Sequence, residues 1–297
     1  MKSLEQLQKQ LGSLEELRTI VKTMKALSAA SIRQYEQAVN ALDGYYETVE
    51  SGLQVVLKDL QLPPRSEKDG NRSTSLAAIV FGSDHGLCGR FNEEITCYAR
   101  EEIDKRTPTA DKRRILAIGA RAAASLEHDS QTVEEIFLVP GAAVQITATV
   151  QQLLLKIDDW REQQGIHTVM LYYNRHSGNQ LYQPTSQQLL PFDFQQFQRL
   201  REKAWPSRSL PTFSMEQEKL LSQLLRQYLF VSLFRACAES QAGEHASRLA
   251  AMQSAQRNLD ERLQEVTSIY RRARQNEITA ELLDVVAGFE SITSKPA

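Results

Sequence analysis

Between Gly82 and Gly89 the sequence reads G-S-D-H-G-L-C-G, placed between an apolar run, LAAIVF at 76–81, and a helical segment at 92–106. A glycine-containing turn from strand to helix is where backbone N–H groups cradle a phosphate. The spacing fits neither G-x-G-x-x-G nor G-x-x-x-x-G-K-[ST], no lysine follows the last glycine, and Arg90 is the only nearby cation. The stretch therefore reads better as a tight structural turn than as a nucleotide loop. Cys88 and His85 are the residue types of a nucleophile and its base, but only Asp84 is at hand to orient the base. His128, His167, His176 and His245 are scattered singly, without metal-ligand spacing. Glu134-Glu135 and Asp158-Asp159 are sequence neighbours, which point to different faces of a strand or helix and form no acid/base couple. No catalytic residue, cofactor site or metal site is expected. Tyr270 with Arg271, Arg272 and Arg274 makes the densest basic patch, set among Glu261, Glu265, Glu277 and Glu281. It reads as a solvated face or as a docking face for an acidic protein surface, not as a nucleic-acid site.

The elements that must position these residues are dominated by the two ends of the chain. No proline occurs between Pro211 and Pro296. From Ala242 an alternating three-and-four spacing runs through Ala246, Leu249, Met252, a polar Gln256, Leu259, Leu263, Val266, Tyr270 and Ala273. A helix from about Ser214 to Ile292 would be roughly 120 Å long, too long to bury its own stripe. The N-terminus supplies the partner: Leu4, Leu7, Leu11, Leu14, Arg18, Val21, Lys25, Ser28, Ile32, Tyr35, Val39, Leu42, Tyr46, Val49, Leu53, Val56 and Leu60 follow the same rule. That helix ends before Pro63-Pro64 and would span roughly 90 Å. Between Arg18 and Ser28 the apolar residues are instead Leu14, Leu17, Ile20, Val21, Met24 and Leu27, a face turned by roughly 100°. Either a second surface is apolar here, touched by something other than the C-terminal helix, or the coiled coil stutters.

Between the arms, a linker beginning at Pro63-Pro64 leads into strands and helices in the order β-α-β-α-β-α-β-β, the pattern of a mainly parallel sheet with helices on its faces. The expected fold class is α/β: a long antiparallel coiled coil of the terminal helices with an inserted Rossmann-like domain. The division is 1–62, 63–211 and 212–297. If the arms pack from the domain outward, the C-terminal helix overhangs by about 20 residues, roughly 30 Å. That overhang carries Ile278, Leu282, Leu283, Val285, Val286, Phe289 and Ile292. Either a sleeve in another protein covers this stripe, or it folds back on the first helix.

A net charge of −2 over 297 residues excludes a generally basic nucleic-acid binder, and three cysteines, Cys88, Cys97 and Cys237, are too scattered for a disulfide framework. A reducing cytoplasm fits them best. The N-terminal MKSLEQLQKQL carries helical pattern and glutamates, unlike a signal or transit peptide, and no run approaches 18 apolar residues.

These residues resemble the γ subunit of rotary F-type ATP synthases. The likeness rests on IVKTMKALSAASIR (Ile20–Arg33), SDHGLCGRFN (Ser83–Asn92), GEHASRLAAM, and YRRARQNEITAELLDVVAGFESI. The resemblance implies a non-catalytic central shaft turning inside an α3β3 ring. Its partners would be the α and β subunits, with the ε subunit and membrane c-ring at the α/β foot. The complex would be peripheral on the cytoplasmic side of a bacterial plasma membrane. Residue by residue it implies that Met24 faces a catalytic β subunit, that Arg248, after the E-H-A motif, contacts the αβ ring, and that Arg274, Gln275, Thr279 and Glu281 contact the ring or support the first helix near Met24. Ile278, Leu282, Val285, Val286 and Phe289 would form the bearing tip. The sequence departs from the family at His85 and Arg90, at Ser31-Ile32 where a lysine is missing after A-A-S, and in the Gly288-Phe289-Glu290-Ser291-Ile292 ending. No cysteine-pair insert lies between Leu200 and Pro211. Two further readings remain: an α/β nucleotide- or cofactor-binding enzyme with a dimerising arm, and an unrelated coiled-coil scaffold.

Overall fold

The structure is a computed structural model that describes residues 3–58, 75–107, 109, 112–177, 180–192, 194–202, 204, 205, 209 and 211–293. The linker at Pro63-Pro64 lies outside them. In chain order the elements are α1 (Leu4–Lys58), β1 (Leu76–Phe81), α2 (Phe91–Arg106), β2 (Arg113–Ile118), α3 (Ala120–His128), β3 (Val133–Phe137), a 3-10 turn (Ala143–Gln145), α4 (Ile146–Glu162), β4 (Thr168–Ser177), β5 (Gln180–Leu190), α5 (Phe194–Glu202) and α6 (Gln217–Thr293). The expected order of strands and helices is present. Sequence reading missed α5, nine residues that follow a proline and sit close to the start of α6. Two compact units result: Ser28–Arg248, and Met1–Leu27 with Leu249–Ala297.

The larger unit holds a five-stranded sheet in the order β3-β2-β1-β4-β5. β1 pairs in parallel with β2 and β4, β2 in parallel with β3, and β4 antiparallel with β5. β1 is central and buried on both faces, which is why LAAIVF is a continuous apolar run instead of an alternating one. Its alternate side chains serve two cores. Leu76, Ala78 and Val80 meet Ile95, Ala99 and Ile103 of α2 and Ala123 and Leu126 of α3. Ala77, Ile79 and Phe81 meet Leu153, Ile157 and Trp160 of α4, Tyr35 of α1, and Leu229, Leu233 and Ala236 of α6. A third cluster joins Val49, Leu53 and Leu57 of α1 to Tyr228 of α6, with Leu200 of α5 packed against it.

α1 and α6 run antiparallel in this unit. Tyr45 donates to Gln227 Oε1 at 2.8 Å, and Gln217 donates from Nε2 to the Val56 carbonyl at 3.0 Å. From Val231 to Arg248, α6 is buried on nearly every face. Small residues make this possible. A Cβ added to Gly243 would lie 3.2 Å from the Asn174 carbonyl oxygen and 3.2 Å from Cβ of Tyr182. His245 stacks on Tyr35 with ring centroids 5.7 Å apart. Burial, reinforced by the Arg248 charge, lowers the His245 pKa to about 4.

The smaller unit is a helix pair. Arg18 bonds Asp260 at 2.7 Å and Lys25 donates to Gln256 Oε1 at 3.2 Å, so rising numbers on α1 meet falling numbers on α6. None of the seam residues from Leu249 to Ala273 is exposed, whereas Gln253, Arg257, Glu261, Gln264 and Ser268 between them are. The seam on α1 does not turn, contrary to expectation: Val21 and Lys25 stay at least half-buried, and Leu17, Ile20 and Leu27 are 49%, 54% and 64% exposed. Polar residues hold the seam because α6 offers each a polar partner. The apolar residues beside them form a separate, outward stripe, which removes the stutter reading.

Three outcomes follow for stability. Gly119 has φ +107°, and a Cβ there would fall 2.7 Å from the Ser83 backbone, whereas Gly44 in α1 has nothing within 4 Å. Gly119→Ala should cost about 3 kcal/mol or more in urea unfolding, and Gly44→Ala should stabilise by about 0.5–1 kcal/mol. For His245, the unfolded chain takes up a proton near the ordinary value while the folded chain resists until about pH 4. Stability therefore falls as pH drops through that window, by up to about 3 kcal/mol. Glu244, whose carboxyl burial raises, acts with the opposite sign, favouring the fold at low pH. Thermal melts of wild type against His245→Phe from pH 7 to 4 should isolate the imidazole, the variant losing less stability on acidification.

Candidate functional site

The glycine turn is closed from within. Ser83 donates its backbone N–H to Asn92 Oδ1 at 2.9 Å, and Asn92 returns a bond from Nδ2 to Ser83 Oγ at 2.7 Å. Ser83 Oγ in turn donates to the His85 carbonyl at 2.8 Å. Asp84 takes the place an anion would take. One of its oxygens accepts the backbone N–H of Ala120, the first residue of α3, at 2.9 Å, and the other accepts that of Val139 at 2.9 Å. A carboxylate at a helix N-terminus satisfies both the dipole and the free donors, so Asp84 ties the glycine turn to the start of α3. Cys88 is buried, and that burial pushes its thiol up, away from the thiolate a nucleophile needs. Cys237, buried in α6, is pushed up to about 12 for the same reason. His85, Leu87, Gly89 and Arg90 are the exposed members of the turn, Leu87 in the left-handed conformation at φ 64°.

α6 clamps this turn. Ser247 Oγ donates to the Cys88 carbonyl at 2.5 Å, and Arg248 Nη2 reaches the carbonyls of His85 and Gly86, each at 3.4 Å. Arg248 is 7% exposed and pairs with Glu244 at 2.6 Å. Its guanidinium is thus committed inside the unit. The E-H-A-S-R motif was visible in the sequence, but its partners lie some 160 residues earlier, so the inward direction of Arg248 was not.

In the smaller unit Met24 is half-buried and lies on the same helical stripe as the exposed Leu17, Ile20 and Leu27. Arg274, Gln275, Thr279 and Glu281 are all exposed, and Thr279 donates to the Gln275 carbonyl of its own helix at 2.8 Å. Met24 sits beside Lys25, which bonds Gln256, so Arg274 is 18 residues along α6 from that contact, about 27 Å. The structure brings Met24 together with its stripe and Gln275 with Thr279. It does not bring the two groups together, so the polar set does not support α1 at Met24. Every described side chain from Arg274 to Phe289 is exposed, with Ile278 at 47%, Leu282 at 61%, Val285 at 70%, Val286 at 53% and Phe289 at 68%. The tip does not fold back on α1 among the described residues. None of the described His, Cys, Asp and Glu residues group as a metal site, and no described helix is long and apolar enough to cross a membrane.

Residues 3–292 match the family model described as ATP synthase. The "ATP synthase gamma chain" of Trichlorobacter lovleyi is 31% identical over 296 residues, covering 98% of this chain and 99% of the relative. That of Bartonella bacilliformis is 27% identical over 306 residues, covering 98% and 100%. Among solved structures, a chain of the Euglena gracilis mitochondrial ATP synthase (OSCP/F1/c-ring, rotational state 3) aligns with TM-score 0.64 at 17% identity, covering 99% of this chain and 97% of that one. A chain of the rotor of the same organism's enzyme aligns with TM-score 0.63, covering 93% and 98%. The structural likenesses establish the fold; the family match over nearly every residue and the relative at 31% identity establish descent. The chain belongs to the γ-chain family of ATP synthase.

Proposed function

We propose that this chain is the central rotor shaft of an F-type ATP synthase, coupling ion-driven rotation to ATP synthesis or hydrolysis in an α3β3 ring while carrying no catalytic residue itself. The observation that supports this reading is the pair of apolar surfaces the chain leaves uncovered: the Leu17, Ile20 and Leu27 stripe on α1, and the tip from Ile278 to Phe289 on α6. An exposed apolar stripe of that size needs a cover. A rotor in a ring supplies one at the tip, where few fixed polar contacts allow sliding, and one at the stripe, where the contact must change from subunit to subunit. Different faces presented in turn shift the nucleotide affinities of the three β subunits.

Within this reading Met24 and its stripe face a β subunit. Arg274, Gln275, Thr279 and Glu281 are ring contacts, and Ile278, Leu282, Val285, Val286 and Phe289 are the bearing. Arg248 acts on the ring indirectly, by fixing the turn that presents His85, Leu87 and Arg90. Residues 1–62 and 212–297 serve as the coiled coil, and 63–211 as the foot, which meets the ε subunit and the membrane c-ring. The complex sits peripherally on the cytoplasmic face of a bacterial plasma membrane, in keeping with the bacterial sources of the relatives.

The first test is reconstitution with the α and β subunits encoded beside this chain. One copy per three αβ pairs, ATPase activity that depends on the chain, and none from the chain alone are expected; failure to join the ring refutes the reading. Met24→Lys should leave assembly intact and lower the ions pumped per ATP hydrolysed, measured in vesicles, by setting a charge against a β subunit. Unchanged coupling would remove Met24 from the contact. Ile20→Ser with Leu27→Ser should leave the unfolding free energy of the chain within about 0.5 kcal/mol and weaken ring binding about tenfold.

A further inference from the structure

In the larger unit three elements are tied by three ion pairs arranged in a closed circuit. Arg235 of α6 holds Asp43 of α1. Arg175 of β4 meets Glu239 of α6 at 3.4 Å, with Arg235 Nε also 4.0 Å from Glu239. His176 of β4 meets Glu36 of α1, Nε2 to Oε1 at 3.3 Å. A cavity of about 390 Å³ lies among them, lined by Glu36, Val39, Asn40, His176, Glu239 and Ala242. Two legs of the circuit depend on arginine, which keeps its proton at any physiological pH. The third depends on imidazole, whose charge changes near neutrality.

The geometry of that third leg is informative about protons. His176 Nδ1 lies 2.8 Å from the Leu181 carbonyl oxygen, which can only accept, while Nε2 faces the Glu36 carboxylate, which when ionised can only accept. With an N–H on Nδ1 toward Leu181, only the imidazolium presents a second N–H, and a charge, toward Glu36. If one proton leaves, the short bond to Leu181 retains the other on Nδ1, and a lone pair on Nε2 is left facing a carboxylate oxygen. We propose that the His176–Glu36 pair is a proton-operated latch that fastens α1 to β4 when His176 is charged and releases it when His176 is neutral. The groups that bear on the ring from the packed elements are Glu36 and Asp43 of α1, Arg235 and Glu239 of α6, and Arg175 and Tyr173 of β4. Arg175 donates to Tyr173 Oη at 3.1 Å and pairs with Glu239 at 3.4 Å, so the nearest cation is already engaged. Burial holds the Glu239 carboxyl above its usual range against the pull of Arg175 and Arg235, a further reason its leg is weaker at low pH and the histidine leg stronger there. The release is local: the α1 turn carrying Glu36 loosens as pH rises, while Asp43, two turns on, stays held by Arg235. The latch stands on this chain alone and does not require the shaft reading.

The test uses the full chain labelled with 15N-histidine, the His176 signals being assigned by their loss in His176→Gln. Neutral His176 should carry its proton on Nδ1, the less common tautomer. In hydrogen exchange corrected for intrinsic rates, the amides from Tyr35 to Asn40 should open about two- to fivefold more readily as His176 loses its charge, the range expected of a half-exposed ion pair. Glu36→Gln should abolish that dependence, and the amides around Asp43 should not show it. A neutral ring protonated on Nε2, or a Glu36→Gln chain with the same pH dependence as wild type, would overturn the proposal.

Discussion

The distance between α6 and β4 governs the larger unit. At Gly243 the helix comes so near the sheet that the Asn174 carbonyl and Tyr182 occupy the space a side chain would need, and Asn174, fully buried, turns its amide to donate to the Phe91 carbonyl at 2.9 Å. Because the helix is that close, Ser247 and Arg248 one turn later reach the carbonyls of the glycine turn. Because those carbonyls are held, the turn can keep Leu87 and Gly89 at positive φ without collapsing onto α2. Backbone approach, polar clamp and turn shape form one dependent series, and the small residues of α6, Ala236, Ala238, Ala242 and Ala246, are its precondition.

Much of this was legible in the sequence, for reasons that differ along the chain. The three-and-four spacing of the terminal helices and the continuous apolar run of β1 are consequences of burial geometry, and burial geometry is periodic. Arg18 and Lys25 were misread because periodicity describes one helix at a time. Both lie in the seam because Asp260 and Gln256 oppose them, and no inspection of α1 alone can find those partners. Arg248 fails for the same reason over a longer interval: its motif could be matched, but whether an arginine faces inward depends on what the fold brings to it. The short α5 escaped because a nine-residue element between prolines carries too few turns to establish a period.

The polar groups of the two units do different work. In the smaller unit the Arg18–Asp260 pair is half-exposed and worth at most about 1 kcal/mol; its contribution is to register, since sliding one helix by a turn would strand a charge against an apolar seam. In the larger unit Glu244 and Arg248 are both buried, and breaking either would leave the other desolvated and unpaired. One unit is specified by polar matching and the other depends on it for stability.

Along α6 the cover thins in stages, from nearly all faces between Val231 and Arg248, to one face as far as Ala273, to none among the described side chains from Arg274. Past that point only propensity and i→i−4 hydrogen bonds favour the helical form. Such a segment needs no new nucleus but frays readily from its free end. A partner that received the tip would also have to order it, so the strength of the grip and the order of the segment would be a single thermodynamic quantity. The looser such a grip, the less fully wound the end it would hold.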